Sequence, residues 1–366
     1  MRIVDVNPFF RPYDGGIERR MYDFSKALAA RGHEVTVLTG RLPGTAEEEM
    51  TDGFRVIRLR SRYINIYNPP YIRSEGVGDA LTSLDADIVN YNYRWAPSYS
   101  KPLFRYEGKK TFTYHNMWGE GTGLAAKISM FNDNRFRKGL LTFDHIVCVS
   151  ENMRQDLIRR GIDEKKLSTI PNTLNSLPEL SDEEGDFILS LGRLVRIKGL
   201  EYLLEAMRSV DHKLIICGRG PDAKRIRKRI KRYGLGDRVE MKGWVTEEEK
   251  NRLMSTCKFF VMPSLSEAYG IAAAELLSRG RPMVCTNVNG LPETVGDAAL
   301  MVSPKDPKGL ANAMNTLLAD ASLRNDLRIK ARAQAERFLL EHHIGAVESL
   351  YERIAFGSDG KENNNP

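Results

Sequence analysis

Short apolar runs alternate with longer segments whose apolar residues recur every three or four positions, and the alternation continues along nearly the whole chain. In the first half the runs are RIVDVN (Arg2 to Asn7), EVTVLTG (Glu34 to Gly40), FRVIRL (Phe54 to Leu59), DIVNYN (Asp87 to Asn92), KTFTYH (Lys110 to His115) and HIVCVS (His145 to Ser150). Each has the length and composition of a buried strand. Ile17, Met21, Phe24 and Leu28 mark one face of a helix that runs to Ala30 and is closed by Gly32. The stretch from Tyr63 to Gly78 carries no clear pattern. PNTLNSLPELSDEEGD (Pro171 to Asp186) is polar and aperiodic and reads as a linker. A second series follows: FILSLG (Phe187 to Gly192), KLIICG (Lys213 to Gly218), RVEMKG (Arg238 to Gly243), CKFFVM (Cys257 to Met262) and RPMVCT (Arg281 to Thr286). Alternating strand and helix patterns predict parallel sheets, so the expected fold is α/β, with two doubly wound domains and a cleft between them.

PSLSEAYGIAAAELLSRG (Pro263 to Gly280) follows one of these strands and organises the second series. A loop after CKFFVM leads into a helix from about Gly270 that stops at Gly280 and Pro282. Its N-terminus lies at the carboxyl ends of the strands, where open α/β sheets bind ligands and helices bind phosphate. Glu267 and Glu275 stand eight apart. If all eight residues were helical the separation would be about 12 Å, against about 5 to 9.5 Å for a glycosidase pair. That spacing suits one extended ligand held at two points. Two ordinary surface glutamates are the plainer alternative.

At 366 residues the chain exceeds one ordinary core and predicts two domains of about 170 to 180 residues. No apolar run reaches the roughly 18 residues of a membrane span, and Asp5 and Asn7 make the N-terminus a strand rather than a signal peptide. The expected compartment is cytoplasmic. Cys148, Cys217, Cys257 and Cys285 are scattered through apolar runs, which predicts core thiols rather than disulfides or a zinc site. The net charge is +7, and KRIRKRIKR (Lys224 to Arg232) holds seven basic and no acidic residues, so the remainder is formally neutral. Ile226 and Ile230 would anchor this helix and leave its charges exposed. A solvated face and an anionic membrane contact both remain open; the absence of interleaved aromatic residues argues against nucleic acid. Asp85-Ala86-Asp87 has the form of a metal-binding D-x-D, but precedes a strand and reads as a helix-end and strand-start signal.

Several loops fall at strand carboxyl ends. Gly15 and Gly16 would let backbone N–H groups approach a phosphate, or simply form a turn. Arg193 and Lys198, in GRLVRIKGL, could clamp a diphosphate or form a charged surface loop. His115 ends its strand and fits a site residue or a hydrogen-bonded structural one.

These pieces resemble glycosyltransferase family 4, the retaining nucleotide-sugar enzymes of the GT-B fold. The resemblance rests on GGIERR, HNMWG, VSENM, IPNTLN, GRLVRIKG, ICGRGP, VEMKGWV, PSLSEAYGIAAAE and NGLPE, in the family's order. It implies two Rossmann-like domains, residues 1–171 for the acceptor and 172–340 for the nucleotide sugar. A helix over 341–356 would return to the N-terminal domain, and 357–366 would be a disordered tail. It implies that Gly15 and Gly16 meet the donor phosphates, Arg193 and Lys198 hold the diphosphate, Glu267 binds sugar hydroxyls and Glu275 the ribose. Gly270 and Ile271 would close on the phosphate, Arg219 and Val245 would cradle the base, and His115 would sit by the reacting centre. His115, Glu267, Arg193 and Lys198 are thus the expected catalytic set.

The implied donor is a UDP- or GDP-sugar carrying a hexose, with no required cofactor or metal. The implied acceptor is a glycan or lipid-linked hydroxyl in cell-surface glycan or glycolipid synthesis, bound around Asn7 to Asp14, Asn92 to Pro97 and Trp118 to Lys138. A peripheral position on the inner membrane face is compatible with this, and nucleic acid is not an expected partner. PNTLN departs from the family's usual PNGVD at Thr173 and Asn175, and leucines stand where a tryptophan is frequent near Phe338 to Glu341. Two other readings stay open: a GT-B nucleotide-sugar 2-epimerase, and a non-catalytic sugar-nucleotide-binding subunit.

Overall fold

The computed structural model describes residues 1–13, 15–64 and 70–357. The expected tail, apart from Gly357, and Asp14 of the first acceptor loop lie outside the described residues. The chain divides into two compact units. One comprises Met1–Gly119, Lys127–Asn175 and the segment from Leu340; the other comprises Glu120–Ala126 and Ser176–Leu339.

The first unit carries β1 (Arg2–Val6), β2 (Glu34–Gly40), β3 (Glu48–Thr51), β4 (Phe54–Leu59), β5 (Ser61–Ile64), β6 (Tyr71–Ser74), β7 (Ile88–Tyr91), β8 (Lys110–Tyr114), β9 (His145–Cys148) and β10 (Leu167–Thr169). Eight of these form one sheet in the order β10-β9-β8-β7-β1-β2-β4-β3. It is parallel except at its β3 edge, and β5 and β6 form a separate antiparallel pair. The sequence pattern did not reveal β3, β5, β6 or β10, which are three or four residues long and lie at edges or outside the main sheet. The helix Gly16–Ala30 buries Met21, Phe24 and Leu28, and its polar Glu18, Arg20, Asp23 and Ser25 are buried too. The helix Leu340–Phe356 seats Ile344, Val347, Leu350 and Tyr351 in the same core as Ile3, Val35 and Val37.

The second unit carries β11 (Ile188–Leu191), β12 (Leu214–Cys217), β13 (Val239–Gly243), β14 (Phe259–Met262), β15 (Met283–Thr286) and β16 (Ala299–Val302), ordered β13-β12-β11-β14-β15-β16 and parallel throughout. Helices on both faces explain the continuous apolar runs, since such strands are buried on each side. Phe259, Phe260, Val261, Met283 and Val284 are nearly inaccessible.

Among the parallel strands of each large sheet the order reverses at one place, between β1 and β7 and between β11 and β14. Such reversals splay the loops at the strands' carboxyl ends and open a ligand crevice. All four cysteines are buried and unpaired, and burial pushes the thiols up, those of Cys257 and Cys285 to about 12. Asp85 and Asp87 both bind Arg2, at 2.7 Å through the guanidinium and 2.6 Å through its backbone N–H.

Candidate functional site

In the second unit the loops after β11 and β14 are interlocked at the reversal. The Leu265 amide donates to the Ile197 carbonyl at 2.7 Å. Gly199 has φ 64°, and a Cβ there would stand 1.9 Å from the Pro263 carbonyl oxygen, so only glycine allows the approach. This contact brings together two residues 69 positions apart: the Lys198 ammonium donates directly to Glu267 Oε2. Ser264 Oγ donates to the same oxygen at 3.3 Å. The Glu267 backbone is held from the other side, its N–H donating to Asn289 Oδ1 at 3.3 Å and its carbonyl accepting from Gly290 at 3.1 Å. Both side chains remain partly accessible, 23% for Lys198 and 15% for Glu267.

Arg193 is exposed on the same loop and makes no ion pair among the described residues. Gly270 caps the helix Ile271–Leu277 with φ 96°. The helix begins where the sequence pattern placed it, with Glu267 on the loop before it, so the separation that eight helical residues would give does not apply. Glu275 is buried in that helix, with Lys250 Nζ 3.8 Å from its Oε2. Arg219, after β12, stacks its guanidinium over Trp244, 5.3 Å from the ring centroid, and Trp244 is 58% exposed. Val245 follows it, half-buried. Sequence reasoning did not single out Ser264, Asn289, Trp244 or Lys250, although the first three lie within quoted motifs.

In the first unit Gly15 caps the helix Gly16–Ala30 after β1, and a Cβ there would meet Glu18 Oε2 at 2.3 Å. Glu18 is buried and accepts from Asn7 Nδ2 at 3.0 Å, so a carboxylate already lies beside this helix start. His115 follows β8, its Nε2 3.1 Å from Asn92 Oδ1. Burial holds its imidazole well below the usual histidine range, and the charges of Arg20 and Arg94 push the same way. The segment after His115 is clamped by a buried ion pair that the sequence did not disclose. Arg94 Nε donates to Asp133 at 2.6 Å while its Nη atoms donate to the Asn116 and Met117 carbonyls at 2.9 and 2.7 Å. Asp133, fully buried, also accepts from the Gly119 amide at 2.8 Å and Trp95 Nε1 at 3.1 Å. Asn175, one of the departures from the family pattern, donates to Asp23 Oδ1 at 2.7 Å.

Two family profiles match in succession, "Glycosyltransferase Family 4" over residues 14–176 and "Glycosyl transferases group 1" over 175–334. The phosphatidylinositol N-acetylglucosaminyltransferase gpi3 subunit of Schizosaccharomyces pombe is 26% identical over 339 residues, spanning 86% of this chain and 72% of the relative. Phosphatidyl-myo-inositol mannosyltransferase of Mycobacterium leprae is 27% identical over 378 residues, 97% of each chain. Sucrose-phosphate synthase from Thermosynechococcus elongatus superposes with a TM-score of 0.81 at 23% identity, covering 96% of this chain and 98% of that one. HepE of Anabaena, solved in complex with UDP and glucose, gives 0.74 at 18% identity, covering 95% and 98%. The chain belongs to glycosyltransferase family 4, and it is a glycosyltransferase with the two-domain α/β GT-B fold.

Proposed function

We propose that this enzyme transfers a hexose-type sugar, with retention at the anomeric carbon, from a UDP- or GDP-sugar to a hydroxyl of a lipid-linked or glycan acceptor at a membrane surface. The observation that carries the reading is the meeting of Lys198 and Glu267 at the β11/β14 reversal, with Arg193 beside them on the same loop. A departing nucleoside diphosphate gathers negative charge as the glycosidic bond breaks, and Lys198 and Arg193 supply fixed positive charge where it develops. Glu267 orients the Lys198 ammonium and offers its remaining lone pairs to sugar hydroxyls. Glu275 would take the ribose, Arg219 and Val245 the base, and the Gly270–Ile271 backbone the phosphate. Gly15 and Gly16 would meet the donor phosphates through their backbone, and His115 the transferred sugar. Retention requires that the acceptor hydroxyl be positioned on the leaving-group face more than it requires a protein base.

The lipid acceptor is supported by two relatives named for transfer to phosphatidylinositol or phosphatidyl-myo-inositol, and by the helix Leu124–Leu140. That helix buries Asp133, Phe136 and Leu140 and turns Ile128 and Phe131 outward, 54% and 62% exposed, beside Lys127, Arg135 and Lys138. Exposed apolar residues flanked by cations suit the interface of an anionic bilayer. In the other basic helix, Ala223–Arg232, Ile226 is buried and Arg225 and Arg229 both donate to Glu201, at 2.9 and 2.8 Å. We assign it a solvated face. Among the described residues no helix is long and apolar enough to cross a membrane.

The test is nucleotide release from UDP-N-acetylglucosamine, UDP-glucose and GDP-mannose, each with and without vesicles containing phosphatidylinositol. Release from one donor that depends on the vesicles and yields a glycosylated lipid is expected, and it should persist in EDTA. Release of a free epimerised sugar without any acceptor would replace the transferase reading with the epimerase one.

A further inference from the structure

Behind His115 lies a chain of buried polar side chains that neither phosphate nor nucleotide binding uses. Asp5 on β1, Asn90 on β7 and Asn92 just after it are 8%, 4% and 3% exposed. Asn92 Nδ2 donates to Asp5 Oδ1 at 2.6 Å and approaches the Val6 carbonyl at 3.3 Å. Asn90 Nδ2 donates to the same Asp5 oxygen at 2.8 Å, and Asn90 Oδ1 accepts from the hydroxyls of Thr111 and Thr113 at 3.0 and 2.9 Å.

These contacts fix which end of each amide faces which way. Asp5 Oδ1 and the Val6 carbonyl are acceptors, so the Asn92 atom facing them must be its NH2. Its oxygen is thereby turned to His115 Nε2 at 3.1 Å, and to Asn90 Nδ2 at 3.3 Å. An oxygen can only accept, so Nε2 must carry the proton; the other tautomer would set two buried lone pairs against each other. Arg20 and Arg94 are the charged groups that act on His115, and both disfavour a second proton. Nδ1 is then an unprotonated acceptor, with no hydrogen-bond partner among the described residues.

We propose that Asp5, Asn90 and Asn92 are positioning residues that lock His115 as the neutral Nε2–H tautomer, so that its Nδ1 accepts a hydrogen bond from a sugar hydroxyl. The inference rests on the reading that His115 faces the transferred sugar, and it gives that contact a direction. His115 selects a hydroxyl donor at that position and rejects a group that only accepts. Asp5 acts as an acceptor anchor at the far end of the chain, and its Oδ1, rather than its charge, is what the two amides require.

The experiment is 15N spectroscopy of the full chain labelled at its histidines, with His115 assigned by its absence in His115→Ala. The expected spectrum shows a pyrrole-type Nε2 and a pyridine-type Nδ1, unchanged from pH 5.5 to 8. A protonated Nδ1, in either the neutral or the cationic ring, overturns the proposal. Asn92→Ala removes the oxygen that defines the tautomer and should give averaged nitrogen shifts. Its kcat should fall by up to about 100-fold, with the donor KM changed less than about threefold. Asp5→Asn keeps an Oδ acceptor and is expected to retain both the tautomer and turnover within about threefold, which separates the relay from a general loss of folding. If His115→Ala loses turnover but Asn92→Ala does not, the relay fails while the site reading stands. If the tautomer is fixed but His115→Ala turns over normally, the placement of His115 at the sugar fails, and the proposed role of the relay with it.

Discussion

In the first unit His115 is held through uncharged amides, and the carboxylate of its hydrogen-bond chain, Asp5, lies at the far end and is buried. In the second, Lys198 and Glu267 meet directly as opposite charges on half-buried loops. Both sets stand at the carboxyl ends of parallel strands near a reversal of strand order, so the architecture alone does not set their chemistry. The difference matches the ligand that each is proposed to meet. A histidine proposed to meet a neutral hydroxyl needs a fixed hydrogen-bond direction, which burial and an amide chain provide. A group proposed to meet a diphosphate needs positive charge held in place where the leaving group's charge develops, and the Glu267 carboxylate orients the Lys198 ammonium for that.

The comparison predicts its largest effect where the first unit uses a buried charge pair to shape the His115 loop. Asp133→Ala removes the carboxylate that neutralises the buried Arg94 guanidinium and should cost about 3 to 5 kcal/mol in urea unfolding, much of it recovered in the Arg94→Met/Asp133→Leu double variant. A cost below about 1 kcal/mol would show that the pair is solvated.

Asp5 should separate the units next. Burial raises its carboxyl to about 6, against the opposing hydrogen bonds of Asn90 and Asn92 and the Arg20 charge. The folded state thus holds the proton more tightly than the unfolded chain. The stability this provides is full below about pH 4 and is lost as pH rises through about 6. Relative to the wild type, Asp5→Asn should therefore gain on the order of 3 kcal/mol between those limits. Parallel stability curves for the two proteins would contradict the buried, ionisable anchor.

In the second unit Lys198→Ala and Arg193→Ala should each lower turnover on the order of 100-fold with the fold intact. Near-normal turnover in both would remove the diphosphate clamp. The smallest effect concerns the membrane. Ile128→Glu and Phe131→Glu should weaken flotation on anionic vesicles, whereas Lys224→Gln and Lys228→Gln should leave it unchanged, each cation at a lipid surface contributing about 1 kcal/mol. The opposite pattern would transfer the contact to the Ala223–Arg232 helix.

The same contrast governs what the sequence made legible. The central strands were readable because parallel strands buried on both faces are continuous apolar runs, and Arg193, Lys198 and Glu267 were readable because charged residues in glycine-bearing loops after such runs stand out. The contact between Lys198 and Glu267 was not, since it depends on Gly199 letting two loops touch. The start of the helix at Ile271 was legible, because Gly270 precedes the helix-forming run IAAAELL. The relay behind His115 left one signal that went unused: Asn90 and Asn92 fall two apart in DIVNYN, on one face of a strand otherwise apolar. Asp133 left none, being one polar residue in a mixed helix whose partner lies 39 positions away.

The most direct test of the account is a thermal-shift titration of UDP, GDP and ADP, and then of their hexose conjugates, against the wild type, Lys198→Ala and Glu275→Ala. One base should stabilise the wild type, by about 2.7 kcal/mol at ~100 times its dissociation constant, and its conjugates should bind through the same residues. Both variants should lose most of the shift. An equal shift in the variants would place the nucleotide elsewhere on the protein, and no shift with any nucleotide would contradict a donor site at the β11/β14 reversal.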